Sequence, residues 1–181
     1  MRVKYDGKTV EENSEKAKIA EGIVKTLLEQ IIKGKHFEAV HDVEEFWHKG
    51  DIRCIENGRF YEVKDDGVIH RSGNVYCEVY KWFFDHPNVR KNGFMLDGQY
   101  ERFCVLDQIS CKLYILHFDR LKAIYKDYKM VDSQLEDCDT KGTIVPLDVC
   151  RQRKILLYET EYYYDECFDD YYIGKKPDAI L

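Results

Sequence analysis

The sequence has few of the features that mark exported, membrane-spanning or zinc-binding proteins. Its 181 residues include no run of the roughly 18–20 apolar residues that a membrane helix needs, and residues 1–6 lack the apolar core of a signal peptide. The seven cysteines form no C-x-x-C pair and the six histidines no H-x-x-x-H pair. We therefore expect a cytoplasmic protein with no membrane partner and reduced thiols, in which any bound metal has oxygen ligands.

Sequence features typical of a linker between domains are also scarce. Only three prolines occur and no Ser/Gly-rich stretch divides the chain, while 44% hydrophobic residues are enough for a core. The net charge of -6 is uneven, because seven acidic residues and only two lysines lie in 155–181. We predict a domain over residues 1–154 and an acidic, tyrosine-rich extension over 155–181. The nearly neutral body remains compatible with a local nucleic-acid groove.

Apolar periodicity predicts a mixture of helices and strands. A helix over residues 14–32 that packs on a sheet is indicated by a repeat of four at Ile19, Ile23, Leu27 and Ile31. Runs rich in β-branched and aromatic residues predict strands at 37–43, 74–84, 102–106 and 112–118, and a second helix is predicted over 119–128. The fold class is therefore α/β.

Asn57-Gly58 between two short apolar runs predicts a β-hairpin. A two-residue type I′ turn at this dipeptide requires positive φ at both positions. The resulting register places Asp51 opposite Lys64 and Arg53 opposite Glu62. Because side chains alternate along a strand, these four residues share one face of the ribbon, and the other face is apolar.

Two acids and an amine on one face suggest phosphodiester chemistry. Asp51 and Glu62 lie on a diagonal of about 7–8 Å at the backbone, within reach of one shared cation. Mg²⁺ or Mn²⁺ prefers such oxygen ligands, and the backbone carbonyl of Val63 is a further candidate ligand. Lys64 would orient or deprotonate water and offset charge on the phosphate. The alternative is structural, since Asp51 with Lys64 and Arg53 with Glu62 are also good cross-strand ion pairs on a solvated face.

Asp51, ten intervening residues and Glu62-Val63-Lys64, behind the helix that carries Glu21, form a pattern that resembles the PD-(D/E)XK nuclease superfamily. The resemblance implies a restriction-endonuclease-like core of helix, three strands, helix and strand, with a central mixed β-sheet flanked by helices. It implies a Mg²⁺- or Mn²⁺-dependent endonuclease acting on DNA, with Asp51 and Glu62 as metal ligands, Lys64 as the catalytic lysine and Glu21 as the first-helix glutamate. A homodimer would fit such an enzyme. The proline that often precedes the aspartate is Gly50 here.

The segment after the hairpin offers substrate-side candidates. Arg71, Ser72 and Asn74 surround a glycine and carry donors for a phosphate, although the same residues also suit a simple turn. Glu78 and His70 receive no assigned role. The alternative function is a catalytically inactive binding or structural module that keeps the nuclease fold, as in a phage or mobile element.

Overall fold

The computed structural model describes residues 10–40, 43–46, 49–84, 88–134 and 138–176, and within these it gives only the backbone of residues 10–14 and 134. The α-helices are α1 Val10–Ile31, α2 Ile69–Ser72, α3 Phe94–Asp97, α4 Phe118–Ile124 and α5 Leu147–Gln152. The strands are β1 Phe37–Ala39, β2 Ile52–Cys54, β3 Phe60–Asp65, β4 Asn74–Phe83, β5 Arg90–Asn92, β6 Arg102–Asp107, β7 Lys112–His117, β8 Met130–Gln134, β9 Cys138–Pro146, β10 Leu156–Asp165 and β11 Asp170–Ile173. Two 3₁₀ turns occur at Glu44–Phe46 and Tyr125–Asp127. None of the described helices is long and apolar enough to cross a membrane.

Helix α1 confirms the predicted first helix and starts earlier than predicted. Its buried stripe includes Ile23, Val24, Leu27 and Leu28, spaced three and four residues apart as on one face of a helix. Ile19, the first residue of the predicted repeat, is 54% exposed although it was predicted to face the sheet. Glu21 is 6% exposed, so the stripe that faces the sheet includes one carboxylate.

The main sheet has seven strands in the order β1-β2-β3-β6-β7-β10-β11. Strands β3 and β6 are parallel, and the other neighbouring pairs are antiparallel. A second, four-stranded antiparallel sheet has the order β5-β4-β9-β8. The predicted strands at 74–84, 102–106 and 112–118 are confirmed as β4, β6 and β7 within one residue at each end.

The main sheet lies between two hydrophobic cores. On one face α1 packs against Ile52 of β2 and Val63 of β3. On the other face Phe103 of β6 packs with residues of the second sheet such as Val75 and with α4. The prediction of a mixed sheet is therefore confirmed. Its two faces are not flanked by helices to the same extent, because α1 covers one face and the short helices α4 and α5 share the other with strands of the second sheet.

The predicted hairpin register is wrong by two residues. The structure pairs Ile52 with Tyr61 and Arg53 with Phe60, and a four-residue loop over 55–58 replaces the two-residue turn. The loop is held by Glu56, which accepts a hydrogen bond from the backbone N–H of His36 at 3.0 Å. Because the displacement is an even number of residues, the two faces of the ribbon keep their predicted composition.

The acidic C-terminal segment continues the main sheet. Strand β10 pairs with β7, for example through Glu159 and Tyr114, and β11 pairs with β10 at the sheet edge. The side chain of Gln30 in α1 donates a hydrogen bond to the carbonyl of Tyr171 at 2.6 Å and accepts one from the backbone N–H of Ile173 at 3.1 Å. The predicted boundary at residue 154 thus falls directly before a strand of the same sheet.

Candidate active site

Gly50 brings the chain into close contact with β3 just before Asp51. Its φ of 130° lies where residues with a Cβ are strongly disfavoured, and a Cβ at this position would lie 2.8 Å from the backbone oxygen of Tyr61. The backbone N–H of Asp51 donates to that same oxygen at 2.9 Å. A proline, which often precedes the aspartate in the superfamily that the sequence resembles, would not fit here, because its ring holds φ near -65°.

Asp51 directly precedes β2, at the end of the pairing between β2 and β3. Its Oδ2 accepts a hydrogen bond from the backbone N–H of Val63 at 2.8 Å. Since N–H and C=O groups of one residue point to the same side of a strand, the carbonyl of Val63 lies on the same edge of β3. One edge therefore carries a carboxylate and a carbonyl oxygen side by side.

Glu62 and Lys64 face the second sheet. In the parallel ladder Glu62 is paired with Phe103 and Lys64 with Val105, both of which belong to the core on that side. Lys64 Nζ lies 2.6 Å from Glu62 Oε1, and the Glu62 side chain is only 14% exposed. The alternative cross-strand pairs are not formed as predicted, since Arg53 pairs with Glu38 at 3.3 Å and Lys64 with Glu62.

The charges at this site shift the pKa values of Asp51 and Lys64. Burial, then the charges of Glu62 and Glu21, raise the pKa of Asp51 to about 7, against the opposing effects of Lys64 and the Val63 N–H. Burial lowers the pKa of Lys64, but the charges of Glu62 and Asp51 outweigh this effect and the pKa lies above its usual value. Lys64 is therefore an ammonium at neutral pH, in which state it can stabilise negative charge but cannot accept a proton.

The shifted pKa of Asp51 predicts a pH-dependent stability in metal-free protein. The folded state retains the Asp51 proton up to about pH 7, whereas the unfolded chain releases it near its ordinary pKa of 3.8. The free energy of unfolding should therefore fall as pH rises from about 4 to 7, by up to about 1.4 kcal/mol per pH unit from this group. Asp51→Asn, whose amide oxygen can still accept the Val63 hydrogen bond, should remove this decline.

Urea unfolding in chelator at pH 4 to 8 measures the effect. The difference between Asp51→Asn and wild type should grow with pH, in favour of the variant. The exposed Asp139→Asn serves as a control and should show no such trend. A difference that stays constant with pH would show that Asp51 titrates normally.

Glu21 approaches the same cluster from α1. Its charge contributes to the raised pKa of Asp51, so the carboxylates of Glu21 and Asp51 lie within electrostatic range of each other. The structure thus places three of the predicted catalytic residues, Asp51, Glu62 and Lys64, on one ribbon, and it places Glu21, from a helix on the other side of the sheet, within electrostatic range of Asp51.

A cavity of about 450 Å³ adjoins Lys64 between the two sheets. Ser72 and Asn74, two of the three predicted substrate-side residues, line it. They also make the predicted turn, in which Ser72 Oγ accepts from the Asn74 N–H at 3.2 Å. Arg71 is exposed and is not among the residues that line the cavity.

Tyr100 and Glu78 also belong to this neighbourhood, although the sequence assigns neither of them a role. Tyr100 is 3% exposed, and its hydroxyl has no hydrogen-bond partner within the described part of the chain. Burial, followed by the charges of Glu62 and Asp51, raises its pKa above the usual value. Glu78 lines the cavity and contributes to the raised pKa of Lys64. Both residues come from the segments that join β3 to β6, so only the folded topology brings them here.

His70 has a structural contact. Its Nδ1 lies 2.9 Å from Oδ2 of the fully buried Asp107, which also accepts hydrogen bonds from the Ser110 hydroxyl at 2.6 Å and from backbone N–H groups. This arrangement ties α2 to the end of β6.

The oxygen donors at this site fit a hard divalent cation. Two carboxylates and a carbonyl are ligands that Mg²⁺ and Mn²⁺ prefer, and the raised pKa of Asp51 indicates a carboxylate whose negative charge is incompletely balanced. Within the described ranges, no three His, Cys, Asp or Glu side chains already form a metal-binding cluster. A cation here would therefore depend on the carbonyl or on water to complete its coordination.

Comparison of the chain with protein-family models, with curated proteins and with solved structures finds no match. The class of protein is therefore inferred from the geometry of this site.

Proposed function

We propose that the protein is a divalent-metal-dependent endonuclease that hydrolyses DNA phosphodiester bonds. The observation that carries the proposal is the placement of Asp51, whose carboxylate is fixed against Val63 on the edge of β3, beside Glu62 and Lys64. Burial and the Glu62 charge raise the pKa of Asp51 to about 7, so this site favours a cation that would balance both acids.

The order of elements supports a restriction-endonuclease-like core. Helix α1 is followed by the antiparallel strands β1, β2 and β3, and β6 then lies parallel to β3. This agrees with the helix, three strands and later strand that the sequence resemblance implies. The intervening helix is represented by the four residues of α2, and the rest of the connection forms β4, β5 and α3.

Asp51 and Glu62, with the carbonyl of Val63, would hold Mg²⁺ or Mn²⁺, which supplies Lewis-acid activation and charge neutralisation in phosphodiester hydrolysis. Lys64 presents its ammonium next to Glu62, where it would stabilise charge that develops on the phosphate. Glu21 would strengthen the negative potential that attracts the cation. Arg71, Ser72 and Asn74 would contact DNA on the cavity side, and a homodimer would address both strands.

A specific contact favours a second candidate function. The ion pair between Lys64 and Glu62, 2.6 Å long, partly neutralises one of the two proposed metal ligands. A catalytically inactive module that binds DNA or a structural partner through the same fold would have this feature.

Cleavage assays separate the two candidates. Purified protein is incubated with branched, single-stranded and duplex DNA in Mg²⁺, in Mn²⁺ or in chelator. The nuclease proposal predicts products with either metal and none in chelator. Metal-independent products, or no products from any substrate, would contradict it, and DNA binding without cleavage would support the inactive module.

A further inference from the structure

We infer that the cavity beside Lys64 binds an unpaired nucleobase, so that the substrate is DNA with a single-stranded or unstacked nucleotide at the cleavage site. This inference rests on the proposed nuclease function and specifies its substrate class. The pocket volume of about 450 Å³ lies within the range of small-molecule sites, roughly 300–1,000 Å³.

The walls of the cavity suit a flat ring. The half-buried Phe94 lines the cavity and is backed by the fully buried Phe103, with ring centroids 5.0 Å apart and planes at 26°. Val105 and Ile144 add further apolar surface. Aromatic and apolar walls of this kind hold unstacked bases in proteins that bind single strands, because every base has a π-face.

The charges in the cavity favour a base over a phosphate. Asp65, Asp66 and Glu78 line it, and Lys64 is the one cationic lining residue in the part of the chain that the structure describes. Carboxylates repel phosphate oxygens, whereas they accept hydrogen bonds from the exocyclic amino groups of bases. The amide of Asn74 supplies both a donor and an acceptor for the same edge.

Lys64 connects the cavity with the proposed cleavage site. It lines the cavity and also contacts Glu62, so one residue lies next to both the base and the phosphate of a nucleotide bound here. A base that is paired in a duplex must leave its stack to enter, whereas an unpaired base enters without this penalty. The pocket therefore selects DNA by the pairing state of one nucleotide.

The test measures the binding of oligonucleotides that carry the fluorescent base 2-aminopurine. The base is placed in a single strand, opposite a mismatched base in a duplex, or in a fully paired duplex. The full-length Glu62→Gln protein in Mg²⁺ is used, since it should bind DNA without cutting it and carries less negative charge at the site. We expect the unpaired forms to bind at least about tenfold more tightly than the paired duplex. Equal affinities would overturn the inference.

Variants that fill the cavity give the second readout. Ile144, 38% exposed, and Ser133 both line the cavity, so Ile144→Trp and Ser133→Phe add bulk there without replacing a fully buried residue. Each should weaken binding of the unpaired forms about tenfold and leave the paired duplex unchanged. Ile19→Trp, on the exposed side of α1, is the matched control and should change neither. Unchanged binding in both cavity variants would overturn the inference.

The experiments distinguish failure of the nuclease proposal from failure of the nucleobase-pocket proposal. Metal-dependent cleavage by wild type without preference for unpaired bases would remove the nucleobase pocket and keep the nuclease. Preference for unpaired bases that both cavity variants abolish, without cleavage of any substrate, would keep the pocket and remove the nuclease.

Discussion

Gly50→Ala should destabilise the protein by about 2–4 kcal/mol in the free energy of unfolding measured with urea. Two effects combine at this position. The φ of 130° is strained for any residue with a Cβ, and the added carbon would lie 2.8 Å from the carbonyl oxygen of Tyr61. The neighbouring atoms are backbone of β3, which pairs with β2 and β6 on its two sides and so has little freedom to move away.

The matched control is Gly22→Ala. Gly22 lies within α1, and a Cβ there would meet no atom within 4 Å apart from its chain neighbours and the backbone of its own helix. Alanine has the higher helix propensity, so this variant should be more stable than wild type by about 0.5–1 kcal/mol. A Gly50→Ala protein as stable as wild type would mean that the chain does not approach β3 at Gly50 as described, and Asp51 would then lose its fixed position.

Glu62→Gln and Lys64→Met should each lower the rate of metal-dependent DNA cleavage by about 10³-fold. Glu62→Gln keeps the shape of the side chain but removes the charge that would hold the cation. Lys64→Met keeps most of the length of the side chain but removes the ammonium beside the phosphate. Rates are measured under single-turnover conditions, so that product release does not mask the chemical step.

A pair of residues in the same sheet provides the controls. Glu161 of β10 and Lys112 of β7 are register partners on neighbouring strands, and neither lines the cavity. Glu161→Gln and Lys112→Met should cleave at rates close to wild type. Full activity in the Glu62 and Lys64 variants would remove these two residues from the site, and equal losses in the control variants would indicate a general effect of charge.

Local patterns in the sequence were sufficient to predict the parts of the site that lie on one ribbon. Alternation along β2 and β3 predicts that Ile52 and Val63 are buried and that Glu62 lies on the opposite face, and the structure confirms this division. The prediction survived an error in register because a shift of two residues preserves the faces. The longer loop makes a contact that the local hairpin pattern does not include, a hydrogen bond from the backbone N–H of His36 to Glu56.

The rest of the site depends on contacts distant in sequence. Tyr100 lies within electrostatic range of the carboxylates only because β6 pairs with β3 after a connection of 36 residues through the second sheet. The cavity likewise forms between two sheets whose packing the apolar pattern of β4 does not specify. The position of β10 in the main sheet also could not be predicted from local sequence. Its acidic and tyrosine-rich composition predicts an extension but does not reveal its pairing with β7.

A titration with Mn²⁺ at pH 8 tests most directly whether Asp51 and Glu62 share a cation. Binding is measured as the loss of the electron paramagnetic resonance signal of free Mn²⁺. We predict one bound Mn²⁺ per chain, with an affinity that rises from pH 6 to pH 8 because binding displaces the Asp51 proton. Asp51→Asn and Glu62→Gln should each weaken binding at least about tenfold, whereas Glu161→Gln should not. Absence of Mn²⁺ binding to wild type, or equal affinity in Asp51→Asn, would contradict the metal site on which the proposed function depends.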